Sequence, residues 1–295
     1  MRVLITGNRG FIGRVLESRL VASGYEVEGF DIIDGLDIGK PELIVERADG
    51  CEAIVHLAAV KNADATAIMQ TNLQGTWNVL CAGAAVRTRK IIFTSSTNAL
   101  GIFQGEGVPE YLPLDDDHPC HPRSSYAISK RLGEEMCRHF TESTGISTMC
   151  FRPPGVWDDS TYHEIVVARG KRPEYEWDPY WEYGAFLDVR DLVDAILLAL
   201  QKDLKDFHCL LLAASDITTS GKSSLELVRE ILPRVEWKGG DEYKVDPYRS
   251  LIDCGNAQRL LGWIPQYSWN RFLKSESARR PPCRPDKHRR AWRSR

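Results

Sequence analysis

The sequence predicts an α/β fold: a doubly wound parallel sheet with a smaller C-terminal lobe. Three observations carry that prediction. Short β-rich apolar runs alternate with longer helical patterns along most of the 295 residues, the arrangement that joins parallel strands through crossover helices. The first run, Val3-Leu4-Ile5, leads straight into a glycine-spaced turn and then an amphipathic helix. The second run ends on an acidic residue, Asp31, about 20 residues past that turn.

Taken in order, Val3-Leu4-Ile5 places a strand at 2–6, and the amphipathic stretch behind the turn places a helix at 11–23. Further apolar runs place strands at 25–31, 52–57, 90–96, 147–152 and 207–213. Helical periods between or after them place helices at 65–86, 125–144, 190–201 and 222–232. The stretch 154–185 differs in kind. It mixes Gly170, Pro173, Pro179 and Gly184 with charges and aromatics and shows no strong period, so it reads as a loop of the second lobe. The expected organisation is a first domain at 1–153, completed by about 186–213, and a lobe built from 154–185 and 214–275. A basic tail at 276–295 lacks an apolar period and is expected to be disordered.

Composition narrows the class. With 43% hydrophobic and 27% charged residues, the chain can bury a large core, which excludes disorder throughout. Met1 runs directly into a strand, leaving no room for a signal peptide. The apolar stretch 192–200 is broken by Asp194 and falls far short of the roughly 20 residues of a membrane helix. A cytoplasmic protein without a membrane partner is expected. The eight cysteines form no C-x-x-C pair, and Cys81, Cys150 and Cys209 lie in apolar runs, so they read as reduced, buried thiols. The net charge of −3 hides an asymmetry: residues 279–295 carry +7, leaving −10 on the rest. An acidic body argues against nucleic acid as a partner.

Thr6-Gly7-Asn8-Arg9-Gly10-Phe11-Ile12-Gly13 sits between the first strand and the first helix. Gly7 allows the tight turn, Gly10 lets the backbone approach a pyrophosphate, and Gly13 lets helix and strand pack closely. The helix start adds amide donors and a partial positive charge. Asp31 then stands where a carboxylate accepts hydrogen bonds from an adenosine ribose diol, which favours NAD. A 2′-phosphate would meet the Asp31 charge, with Arg9 the one nearby residue able to compensate in part. Asp37 and Ile38 are weaker candidates for adenine contact, a surface turn being the other reading.

Tyr126 and Lys130 lie at i and i+4 near the start of a helix and so share a face. A free phenol has a pKa near 10, and a neighbouring ammonium can favour its ionised form. The fourth strand ends in Thr94-Ser95-Ser96-Thr97-Asn98, hydroxyls at the carboxyl end of a parallel strand, where open α/β sheets place ligands.

Together these motifs resemble the NAD-dependent epimerase/dehydratase family, the extended short-chain dehydrogenases/reductases, over nearly the whole chain to about residue 275. The match also includes His56-Leu57-Ala58-Ala59, Asn72-Leu73-Gln74-Gly75-Thr76, Arg152-Pro153-Pro154-Gly155-Val156-Trp157, Phe186-Leu187-Asp188-Val189-Arg190-Asp191 and Leu260-Leu261-Gly262-Trp263-Ile264-Pro265. The resemblance implies a Rossmann-type sheet with NAD as cofactor and a lobe that binds substrate. It implies Tyr126 as general base or acid, Lys130 as its electrostatic partner and ribose ligand, and Ser96 as the catalytic hydroxyl. Gly7, Arg9, Gly10, Phe11, Ile12 and Gly13 would surround the pyrophosphate. Leu57, Ala58 and Ala59 would lie along the cofactor, and Pro153 and Val156 near its carboxamide. Tyr126 would remove a hydroxyl proton as hydride leaves the same carbon for the nicotinamide.

Departures from the pattern shape the substrate expectation. Thr97-Asn98 stands where dehydratases resemble one another in an Asp-Glu pair, so dehydration is not expected. Gly155 replaces the asparagine of many nucleotide-sugar enzymes, and Leu100 replaces the usual tyrosine before Gly101. The connection from His56 to Asn72 is short, similar to members acting on free sugar acids. Ser96, Thr97, Asn98 and Arg249 are the substrate candidates. Lys171-Arg172 is a further basic pair, and Tyr175, Trp177, Tyr180, Trp181 and Tyr183 either stack on a sugar or base or pack a lobe. The cluster His118-Pro119-Cys120-His121 lacks a second ligand set, and no metal is expected. The expected activity is oxidation or epimerisation of a secondary alcohol on a sugar or nucleotide sugar, similar to UDP-glucose 4-epimerase. Net dehydrogenation of a free sugar acid and a non-catalytic NAD-binding regulator are the alternatives. A homodimer is expected.

Overall fold

The computed structural model describes residues 1–171, 183–219 and 221–279. In chain order the first half runs β1 (Arg2–Thr6), α1 (Phe11–Ala22), β2 (Glu26–Phe30), α2 (Pro41–Ala48), β3 (Ala53–His56), α3 (Ala65–Met69), α4 (Gly75–Ala85) and β4 (Lys90–Thr94). It continues through β5 (Tyr111–Leu112), α5 (Ser125–Thr144), β6 (Ser147–Arg152), β7 (Val156–Trp157), α6 (Asp159–Lys171), β8 (Leu187–Asp188), α7 (Val189–Gln201) and β9 (Phe207–Leu211). The last part holds α8 (Ser224–Ile231), β10 (Glu236–Trp237), α9 (Glu242–Val245), α10 (Gly255–Leu261) and α11 (Trp269–Arg279).

Six strands form one parallel sheet in the order β2-β1-β3-β4-β6-β9. The order reverses between β1 and β3, which opens a crevice at their carboxyl ends. Alternation along the strands divides the core. Val3, Ile5, Val55, Ile92, Met149 and Phe151 pack with Leu16 and Leu20 of α1 and Leu192 and Ile196 of α7. Leu4, Ile54, Ile91, Phe93 and Cys150 point the other way, against Ile44 of α2, Val79 and Leu80 of α4 and Phe140 of α5. Burial on both faces explains why these strands read as nearly continuous apolar runs. Each fully buried side chain of this size contributes about 1.5–3 kcal/mol.

The remaining segments gather over the carboxyl ends of the strands. β5 pairs with β10 beside a second core that includes Leu100, Phe103, Leu112, Leu227 and Tyr243, and β7 pairs with β8, both pairs parallel. The two late family motifs meet through one side chain. The Asp191 carboxylate accepts from the amides of Gln266 and Tyr267, and its carbonyl accepts from the Trp263 indole. A smaller cluster stacks Trp157 on Phe186, ring centroids 4.7 Å apart, with Tyr162 and Trp269 beside them.

Five expectations need correction. Residues 41–48 form a helix that the sequence reading left out, because only Ile44 and Ala48 of its face are buried. The expected helix at 65–86 is three segments, since one π-turn at Gln70–Gln74 separates α3 from α4. The loop expected at 154–185 contains α6, which presents Tyr162 and Ile165 to the aromatic cluster and exposes Asp159, Ser160, His163, Glu164 and Val167. α11 runs to Arg279, past the expected tail boundary, and Asp216 accepts from the Trp269 and Asn270 amides at its start. Cys81 is exposed rather than buried, although Cys150 is fully buried and Cys209 half-buried. No helix among the described residues is long and apolar enough to cross a membrane.

Candidate active site

The crevice between β1 and β3 begins at the glycine turn. Gly7 has φ +77° and donates its amide to the Phe30 carbonyl at 2.8 Å. A Cβ on it would lie 2.8 Å from the Ala58 nitrogen, and one on Gly13 would lie 2.2 Å from the Gly7 carbonyl oxygen. Only glycine at both positions lets the β1 turn, α1 and the 57–59 segment approach this closely. Gly10 precedes α1 without a capping side chain, and the first turn of α1 carries no acid. The positive end of the helix is therefore left for an anion. Arg9, Gly10 and Phe11 are exposed around it, and Ile12 is half-buried behind.

Asp31 closes the other side. It is 8% exposed, and its two carboxylate oxygens accept from the Arg9 amide and the Ile33 amide, both at 3.0 Å. Each oxygen keeps a lone pair for a hydroxyl donor, the requirement of a ribose diol. Leu57 and Ala58 are half-buried and Ala59 exposed along the same crevice. Beneath them His56 is fully buried between Thr6 at 2.6 Å and Thr76 at 2.9 Å. Burial, with the Lys130 charge second, pushes its imidazole down to about 3, so His56 is a neutral strut. Asp37 accepts from the Gly39 amide in a local turn. Ile38 is 7% exposed and packs on Gly75 in the core, so the expected adenine contact finds no exposed Ile38 side chain.

α5 carries the proton-transfer candidates. Ser124 caps it by accepting from the Ala127 amide at 3.2 Å, which puts Tyr126 in the first turn of the helix and Lys130 in the second. Lys130 is 4% exposed. Its ammonium donates to the Thr94 carbonyl at the end of β4 at 2.8 Å, and stands 4.9 Å from the Phe93 ring centre and 5.8 Å from that of Tyr126. Burial pushes this lysine down to about 8, against the opposing charge of Glu134. Between that value and the ordinary 10.5 the unfolded chain holds the extra proton, so the burial subtracts stability at neutral pH and the loss fades as pH rises through that window.

Ser96 follows β4 and heads the short 3-10 turn Thr97–Leu100, its hydroxyl accepting from the Asn98 amide at 3.2 Å. That turn packs against α5 and β6. Ser96 is 9% exposed, Asn98 4% and Thr97 0%, with the Thr97 amide donating to the Pro153 carbonyl. Thr97, a substrate candidate in the sequence, is thus fully buried in the free protein, its backbone tied to the residue that follows β6. Pro153 is buried and Val156 half-buried on the strand ends nearby.

Three residues went unassigned in the sequence reading. The Asn72 amide group accepts from and donates to the backbone of Val60, both at 2.9 Å, and donates to Ser129 at 3.0 Å. It ties the short 57–64 connection to the turn of α5 that bears Tyr126 and Lys130. Lys61, next along that connection, holds its ammonium 5.5 Å from the Tyr126 ring centre. Glu134, one turn beyond Lys130, is 0% exposed and accepts from Ser95 at 2.6 Å, from Arg152 at 2.8 and 2.7 Å, and from Arg131 at 3.1 Å. Burial pushes its carboxyl up, but Arg152, Ser95 and Arg131 outweigh that and hold it below the ordinary value. The signal was present for Glu134: its i, i+4 spacing from Lys130 puts it on the inner face of α5.

Other candidates lie elsewhere. Arg249 lines a cavity of about 220 Å³ with Ser215, Asp253, Gln258 and Trp263 that includes none of Ser96, Tyr126 and Lys130. Tyr183 is 2% exposed and donates to the Ile102 carbonyl, a core residue rather than a stacking platform. Tyr175, Trp177, Tyr180, Trp181, Arg172 and the Lys171 side chain fall outside the described residues. His118 accepts from the Glu110 amide through Nε2 and donates from Nδ1 to the Pro119 carbonyl. Among the described residues no three His, Cys, Asp or Glu side chains are grouped to hold a metal.

A glycine turn at the head of a helix and a carboxylate at the end of β2, both at the switch point of a parallel sheet, with a Tyr-Lys pair near the end of β4, are the features of a dinucleotide-binding protein of Rossmann type. The chain belongs to the NAD-dependent epimerase/dehydratase family, whose model matches residues 3–208. It is 29% identical over 180 residues to a putative UDP-glucose 4-epimerase of Methanocaldococcus jannaschii, covering 53% of this chain and 56% of that protein. It is 29% identical over 168 residues to the L-arabinose 1-dehydrogenase (NAD(P)(+)) of Haloferax volcanii, covering 51% and 65%. The matched stretches thus span less than two thirds of either relative. A short-chain dehydrogenase/reductase superfamily protein of Agrobacterium tumefaciens, solved with bound NAD, has the same fold at a TM-score of 0.70 and 22% identity, over 94% of this chain and 96% of that one. The two glycine approaches and the paired amides on Asp31 fit NAD, the family's cofactor.

Proposed function

We propose that the chain is an NAD-dependent enzyme that oxidises a secondary alcohol of a sugar or nucleotide sugar, with 4-epimerisation of a UDP-sugar as the leading outcome. The observation that carries this reading is the buried Lys130 ammonium, fixed to the Thr94 carbonyl one helical turn from the Tyr126 phenol. Tyr126 takes the hydroxyl proton, Lys130 stabilises the ionised phenol and binds the nicotinamide ribose, and Ser96 donates to the reacting oxygen. Gly7, Arg9, Gly10, Phe11, Ile12 and Gly13 hold the pyrophosphate, Asp31 the adenosine ribose, Leu57, Ala58 and Ala59 the length of the dinucleotide, and Pro153 and Val156 the carboxamide end. NAD, when bound, supplies the hydride acceptor.

Net dehydrogenation of a free sugar or sugar acid is the second reading. It is favoured by the short connection after β3, which Asn72 closes against Val60 and which leaves less room for a nucleotide. Incubation with NAD and a panel of UDP-sugars and uronates separates the two. NADH accumulation supports dehydrogenation, sugar conversion without it supports epimerisation, and NAD binding with no turnover of any sugar points to a regulator. In the oxidation direction kcat/KM is expected to fall on the alkaline side, at or above about pH 8, as Lys130 loses its charge. A profile flat through that range would remove Lys130 from the mechanism.

The 1–153 and 186–213 segments are assigned to cofactor and the rest of the described chain to substrate. We further assign a cytoplasmic homodimer, consistent with the large apolar side chains of Trp77 on α4 and Leu132 on α5 that stand 47% and 43% exposed. A monomer by light scattering would refute that state.

A further inference from the structure

The ribose end of the crevice holds a second carboxylate that the proposed reaction does not use. Asp34 ends the 3-10 turn Ile32–Asp34, which its own amide closes by donating to the Asp31 carbonyl at 3.0 Å. Gly35 follows in the left-handed region at φ +79°, so the Asp34 carboxylate is held one tight turn from Asp31. It grips the Arg9 side chain: Nε donates to Oδ2 at 2.8 Å and Nη2 to Oδ1 at 3.4 Å. The Arg9 main-chain amide meanwhile donates to Asp31 itself. One residue therefore supplies a backbone donor to the ribose carboxylate and a guanidinium of which one edge is already taken by a neighbouring acid.

This arrangement bears on a 2′-phosphate. NADP differs from NAD by that group on the adenosine ribose, and arginine is the side chain suited to bind it, through two parallel charge-assisted hydrogen bonds. Arg9 originates beside the ribose carboxylate, yet Asp34 takes the Nε/Nη2 edge of its fork and holds the guanidinium toward itself. The guanidinium faces three carboxylates, Asp34, Glu17 and Asp31. Without Asp34 one fewer opposes a phosphate, and both edges of the guanidinium are available.

We infer that Asp34 is a specificity-determining residue: by holding Arg9 it keeps the adenosine ribose site selective for NAD over NADP. The inference rests on the reading that Asp31 binds the ribose. Arg9 and Asp34 are both well exposed, with side chains 49% and 38% accessible, so replacing Asp34 leaves the core untouched.

The test is direct titration of the full-length protein with NAD and NADP by calorimetry, independent of turnover. Wild type is expected to bind NAD more tightly. Asp34→Asn is expected to tighten NADP at least about tenfold, the scale of one charge-assisted contact, with NAD affinity changed much less. Asp34→Glu, which can still reach Arg9, is expected to keep the wild-type ratio. The gain is expected to vanish in the Asp34→Asn, Arg9→Ala double variant. An unchanged NADP-to-NAD ratio in Asp34→Asn overturns the inference, and so does a gain that survives removal of Arg9, which would mean simple loss of negative charge. Failure of wild type to bind either dinucleotide would instead overturn the reading of the site.

Discussion

Tyr126→Phe is expected to lower turnover by about 10²–10⁴-fold, the contribution of a positioned general acid or base. The change is narrow. The ring keeps its place beside the Lys61 and Lys130 ammonium groups, the backbone carbonyl still accepts from Ser129 at 2.8 Å, and only the proton-carrying oxygen is lost. NAD affinity and thermal stability should stay near wild type, so the loss should fall on kcat rather than on folding. Turnover unchanged with every substrate the wild type accepts would show that Tyr126 is not the base.

Glu134→Gln should act on the fold instead. Arg152 is 3% exposed and places two nitrogens on that carboxylate, while Arg131 and Ser95 complete its acceptor sites. The amide keeps one acceptor oxygen and removes the charge, leaving a buried guanidinium without its counterion. Breaking a buried pair from one side costs about 3–5 kcal/mol, and each kcal/mol moves the melting temperature of a chain this size by roughly 2–4 °C. Because the folded carboxyl titrates below its ordinary value, its stabilisation is complete above the unfolded pKa and is lost as pH falls through the folded one. The wild type should therefore lose stability in acid more steeply than the variant. Thermal melts across pH would show this, and a loss at neutral pH under about 1 kcal/mol would mean that Arg152 finds another partner.

The inner strands β1, β3, β4 and β6 were legible because burial on both faces writes an apolar run into them, and the glycine turn because backbone approach to Ala58 tolerates no side chain there. Asp31, Tyr126, Lys130 and Ser96 were legible as types at known spacings. The residues that orient them were harder to see. Asn72 reaches Ser129 across 57 positions of sequence, and Glu134 depends on Arg152 from a neighbouring strand; neither partnership follows from any local period. α6 escaped because, among its described side chains, only Tyr162 and Ile165 are buried, too few apolar positions to mark a period. Thr97 drew notice for its hydroxyl, and its full burial in the 3-10 turn after Ser96 follows from no local period either.

The account depends on one electrostatic relation, in which the Lys130 ammonium favours the ionised form of the Tyr126 phenol. Tyrosinate absorbance, measured against pH for wild type, Tyr126→Phe and Lys130→Met, tests it most directly. The expected result is one phenol that ionises below the ordinary value near 10, is missing in Tyr126→Phe, and is displaced upward in Lys130→Met. A Tyr126 that ionises at or above that value in the wild type, or that ignores the loss of the lysine, would contradict it.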